Sequence, residues 1–163
     1  MKKNKKENSV EVHNSKKMSY AEKVEELRDF YMSTADSNFF ARCPSIELVI
    51  DTELGVIFRI VNDIQPQTSP PSSKALSLPL ISLDYDFQIL SSFFSEKVEK
   101  FDPNVVFTRD PIASAYDELI DIGMLEDYRF YRREKYKEIF KIWVDKNRSA
   151  IEKIDVEYFR EVR

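Results

Sequence analysis

DYRFYRREKYK, residues 127–137, is followed two positions later by FKIWV, residues 140–144. How this pair folds decides the architecture of the whole second half of the chain. In the first segment aromatic and charged residues alternate, as in a half-buried strand that turns its rings inward and its charges out. The second is a short apolar run of strand length, with Trp143 as a core residue. Read as two strands, they follow a helix and precede another, which places the chain among the α/β (α+β) folds.

The flanks supply the helices. Asp110-Pro111 puts an acid at an N-cap and proline at the first helical position, Ile112, Ala115, Tyr116, Leu119 and Ile122 form the apolar face, and Gly123 ends the helix. Asp145 and Ser149 flank the expected start of a last helix, with Ala150, Ile154 and Phe159 inward. Upstream, Phe87, Leu90, Phe94, Val98 and Phe101 follow helical spacing from Asp84 until Asp102-Pro103 stops them, and NVVFT (104–108) reads as a buried strand. LISLDYD (80–86) includes a short strand, and QPQTSPPSSKALSLP (65–79) reads as a loop. Ser19 and Glu22 form a capping box ahead of Tyr20, Val24, Leu27 and Tyr31, in a helix expected to fade near Ser33–Ser37. IELVID and VIFRIV then make a hairpin. The expected architecture is a mixed sheet with flanking helices in one domain, residues 19–163, preceded by a disordered basic arm at 1–18.

Composition narrows the chemistry. The 163 residues hold one cysteine, Cys43, and one histidine, His13, which removes an internal disulfide, a Cys-based zinc cluster and most routes to Cys–His or Ser–His catalysis. No apolar run is long enough to span a bilayer, so no membrane partner is expected. The lysine-rich start lacks the apolar segment of a secretory signal, and the expected location is intracellular, in the cytoplasm. The first 17 residues carry six lysines against two glutamates, whereas the whole chain has net charge −4, so the body is acidic. Such an arm is either a contact for nucleic acid or an acidic partner, or a solubilising tail.

VIDTELG (49–55) places Asp51 and Glu53 after an apolar strand, and two explanations compete: the polar tip of a hairpin, with Gly55 in the turn, or a pair of metal ligands facing one side. Here the sequence resembles a known family. Asp51-Thr52-Glu53 fits the first exonuclease motif of family B DNA polymerases. FDPNVV (101–106) is similar to the turn and strand leading to their second motif, with Thr108-Arg109-Asp110 where a Thr-Tyr-Asn would stand. AYDELIDIGM, EDYRFYRRE and FKIWVDKNRSAIEKI resemble the helix, strand, and strand-plus-helix that follow in that family, so the likeness covers roughly 46–163.

The resemblance implies an RNase H-like fold and, in active members, two metal ions clamped by four carboxylates. It is degenerate here. Ala115 occupies the position of the second-motif aspartate, Asp110 serves as an N-cap, Asp117 falls within a helix, and the third motif is absent. Asp51 and Glu53 are then vestigial metal candidates, with Mg²⁺ or Mn²⁺ relevant only to surviving nuclease activity and no other cofactor expected. The expected function is a non-catalytic, nucleic-acid-associated protein, an accessory or split-polymerase subunit in DNA replication or repair. Its expected partners are DNA and a larger polymerase or replication subunit. Arg129, Arg132, Arg133, Lys135 and Lys137, with Lys141 beyond them, are the candidate phosphate contacts, and the interleaved Tyr128, Phe130, Tyr131 and Tyr136 are the candidate stacking rings. Two other readings stand beside it: a protein-interaction module, and a winged-helix-like DNA-binding protein in which this stretch is the wing.

Overall fold

The computed structural model describes residues 16–62, 74–98 and 110–162. The greater part of the expected arm, residues 65–73 of the Pro/Ser-rich loop, Phe101, the Asp102-Pro103 stop and the strand at 104–108 lie outside the described residues.

Helix α1 (Tyr20–Ala41) starts at the expected capping box: the Ser19 hydroxyl accepts from the Glu22 amide, and the Glu22 carboxylate accepts from the Ser19 amide at 2.7 Å. It does not fade near Ser33–Ser37. Thr34 and Ser37 donate their hydroxyls to carbonyls one turn back, which leaves the helix ladder intact. Met32, Ala35 and Phe39 meanwhile continue the buried face. The exit is fixed by the buried Asn38, whose amide group bonds both the amide and the carbonyl of Cys43, and by Arg42 in the left-handed region.

Strands β1 (Ser45–Asp51) and β2 (Val56–Val61) form the expected antiparallel hairpin, with Ile50 opposite Ile57 and Val49 opposite Phe58. The end of the segment expected to be loop is a strand instead. β3 (Ala75–Ser77) and β4 (Ile81–Ser82) run in succession along the free edge of β1, and their registers differ by one residue. The two are therefore one edge strand with a bulge between them, where Pro79 has no N–H to withhold from a ladder. On the other side, β5 (Arg160–Val162) pairs parallel with β2, giving the order β3/β4–β1–β2–β5 in a mixed sheet.

Helix α2 (Leu83–Lys97) is capped by the Ser82 hydroxyl, and α3 (Pro111–Asp121) by the Asp110 carboxylate at the Ala113 amide. The largest departure from the sequence reading follows Gly123. Residues 125–152 form a single helix, α4 (Leu125–Glu152), about 42 Å long at 1.5 Å per residue. Neither 127–137 nor 140–144 is a strand, and Asp145 and Ser149 lie within the helix rather than at its start. The physical reason is the spacing of its buried side chains: Tyr128, Arg132, Tyr136, Phe140 and Val144 recur every fourth residue, a helical stripe.

α1 and α4 pack antiparallel. The buried Lys23 ammonium donates to the carbonyls of Ile151 (3.4 Å) and Glu152 (3.1 Å), closing the C-terminal end of α4 with a cation. At the other end Arg132 donates to Ala35 O. The inward face of the sheet (Ile46, Leu48, Ile50, Ile57, Leu78, Ile81) shares one apolar cluster with the helices. The chain after α4 returns to the start of α1, where the Met18 amide donates to Val156 O. No described helix is long and apolar enough to cross a membrane.

Candidate functional site

The VIDTELG carboxylates do not converge. Asp51 is 2% exposed, and its Oδ1 accepts from the backbone amides of Glu53 and Leu54, both at 3.0 Å, which holds the Thr52–Gly55 turn closed. Glu53 has left the strand: it lies in the turn, and its carboxylate pairs with Lys74 at the surface. One acid is thus spent on the turn and the other on a lysine, and these residues do not fit a metal pair. Among the described residues no group of three or more His, Cys, Asp or Glu side chains could hold an ion. Gly55 has φ +64°, and a Cβ there would stand 2.9 Å from Val156 Cγ1 and 3.0 Å from Tyr158 O. The turn therefore serves as the seat on which the chain entering β5 packs.

The candidate phosphate contacts separate into three groups, because α4 turns successive residues by about 100°. Arg132 points inward and is 2% exposed. It makes a bidentate pair with Asp86 (Nε to Oδ1 2.8 Å, Nη2 to Oδ2 3.1 Å), and Tyr136 donates its hydroxyl to the same carboxylate at 2.8 Å. Burial pulls the Arg132 pKa down, but the hydrogen bonds and charge of Asp86 outweigh it, and the net shift is upward. Burial first, and the Asp86 charge second, push Tyr136 far above the ordinary tyrosine range. Arg132 is consequently a structural ion at the junction of α1, α2 and α4, not a phosphate contact. Of the rings expected to stack on bases, Tyr128 and Tyr136 are fully buried in the core. Lys135 faces another side, pairing with Glu138 and lying 5.3 Å from the Tyr131 ring.

Arg129, Arg133 and Lys137, with Lys141, remain. They recur every fourth residue and so form one row, with about 6 Å of helix rise between neighbours and about 18 Å from end to end. The row flanks a groove between α4 and α1, of about 540 Å³ over its central part. Val24, Met32, Phe140 and Val144 contribute apolar lining there, and Arg28 adds a cation from α1, paired at 3.3 Å with Asp29 on the same wall. The groove continues toward the end of α1, past Asp36 and Phe40 to Arg129. The partners of these cations are weak competitors for a ligand. Arg129–Glu126 and Lys137–Glu134 are neighbours on the same helix with half-exposed or exposed side chains, and Arg133 stands 3.7 Å from Asp36.

Arg28 and Phe40 escape a reading of the sequence around 127–141, since they lie on a helix some hundred residues earlier. The residues of the row all fall in the basic stretch singled out from the sequence, but 129, 133, 137 and 141 become neighbours only when the segment is a helix rather than a strand. No family model, curated protein or solved structure matches the chain.

Proposed function

We propose that the protein is a non-catalytic nucleic-acid-binding module whose contact surface is the groove between α1 and α4. The observation that supports this is the row Arg129–Arg133–Lys137–Lys141 with Arg28 opposite, a concentration of positive charge on a chain of net charge −4. A row with a constant period suits a ligand whose own charges repeat, and phosphates are such a ligand. The resemblance to polymerase exonuclease regions lends the proposal a setting in DNA replication or repair, alongside a larger polymerase subunit. Of the segments that carry it, AYDELIDIGM is helical as the resemblance implies, whereas Glu53 lies in a turn and the segments matched to later strands are helical.

The apolar lining of the groove favours a second reading, in which an acidic amphipathic helix of a partner protein lies between α1 and α4. Salt separates the two. Fluorescence anisotropy with labelled DNA is expected to give binding that weakens with salt, with a slope of log K on log salt of about −3 for four single-strand phosphate contacts. The double substitution Arg133→Glu, Lys137→Glu should abolish it. DNA binding equal for the two proteins would defeat the proposal, whereas an acidic peptide held at high salt, with no DNA bound, would establish the second reading. Arg132 has no place in such a test, because reversing a buried charge unfolds the protein whatever it binds.

A further inference from the structure

Resting on that reading of the groove, we infer that its ligand is single-stranded and that Phe40 is the platform on which one unpaired base stacks. Phe40 is 70% exposed, at the last turn of α1 where the row of cations begins. A lone exposed phenylalanine is ordinary on a protein surface. This one is held in place from two directions. The Phe39 ring meets it edge to face, with centroids 5.0 Å apart and planes at 80°, and Phe39 is itself stacked on Tyr116 at 4.7 Å. The Arg129 guanidinium lies 5.3 Å from the Phe40 centroid and 5.2 Å from that of Phe39. The ring is therefore fixed by a buried neighbour and flanked by a cation of the row, yet most of its surface faces water.

The groove joins the platform to the rest of the row, since Asp29, Met32 and Arg133 line both its central part and the part that reaches Phe40. A strand whose phosphates follow Arg133, Lys137 and Lys141 would bring a base to Phe40 beside Arg129. Only an unpaired base can use this surface: a duplex keeps its π faces stacked on one another and offers the ring nothing but its edge and backbone. Phe130, equally exposed, belongs elsewhere, because it lines a separate depression with Phe93, Met124 and Tyr131.

The test compares full-length wild type with Phe40→Ala, Phe40→Trp, Phe130→Ala and the Arg133→Glu, Lys137→Glu double variant. The probes are a fluorescein-labelled oligothymidylate of about 12 nucleotides, within the usual single-strand site sizes, and a duplex of the same length. Phe40→Ala is expected to weaken single-strand binding about 5- to 100-fold while leaving duplex binding and the thermal midpoint unchanged. Phe40→Trp should restore it, and Phe130→Ala should behave as wild type. Unchanged single-strand binding by Phe40→Ala, with binding lost in the charge-reversed protein, would overturn the stacking role and leave the groove standing. Binding unaffected by charge reversal, or no binding by wild type, would overturn the groove as well.

Discussion

Arg132 occupies a position in the α4 stripe that Tyr128, Tyr136, Phe140 and Val144 fill with apolar side chains, and its charge is tolerated only because Asp86 meets it from α2. Removing one member of such a pair strands the other in a medium that cannot solvate it. Arg132→Met is therefore expected to lower unfolding stability by about 3–5 kcal/mol, read from urea midpoints. Adding Asp86→Leu and Tyr136→Phe to the same protein removes the orphaned groups together and should recover most of that loss. A triple variant as unstable as the single one would show that the ion network contributes more than its own neutralisation. The arginine also explains a failure of sequence reading. A charged residue in the middle of the stripe hides the four-residue period, and the aromatic-charged alternation at 127–137 then wins by default.

At the scale of elements, the hairpin and its turn carry the clearest local instructions. Ser19 with Glu22, Asp110-Pro111, Gly123 and the Asp51–Gly55 turn each place a residue type where backbone geometry requires it, and each was legible in the sequence. The strands β3 and β5 were not. Each is three residues long, and pairing with β1 or β2 specifies them more than their own composition does. The row of cations was legible as composition but not as geometry, since its alignment depends on the helix that the strand reading displaced. Gly55 joins the legible and illegible parts, because its positive φ belongs to the hairpin while its missing Cβ makes room for Val156 and Tyr158. Gly55→Ala is expected to cost about 2–4 kcal/mol, from the left-handed backbone and the close contact together. Urea unfolding measures this, and hydrogen exchange should show the amide of Arg160, which donates to Gly55 O, losing protection first.

Across the whole molecule, the tyrosines in and against the core govern its response to alkali. Burial pushes Tyr116 up to about 12 and shifts Tyr31 and Tyr136 upward further still. Unfolded tyrosine ionises near about 10. Above that pH the unfolded chain has released protons that the folded chain retains. Stability is thus whole below about pH 10 and falls as pH rises, by at most about 1.4 kcal/mol per unit for each such tyrosine. Urea midpoints measured between about pH 8 and 11.5 should decline only in the upper part of that range, and a flat profile would mean that these hydroxyls are solvated. The meeting of Met18 with Val156, of Lys23 with Ile151, and of β2 with β5 has a different consequence, for the order of events when the chain is made. The partners in each contact stand more than a hundred residues apart, and the closure of such long loops must be met before any contact rewards it. While translation has yet to deliver residues 150–162, α1 lacks the C-terminal end of its helical partner and the hairpin lacks a neighbouring strand. Folding of this unit therefore waits on residues 150–162, and the nascent hairpin, apolar on both faces, is the segment a chaperone would have to shield in the interval.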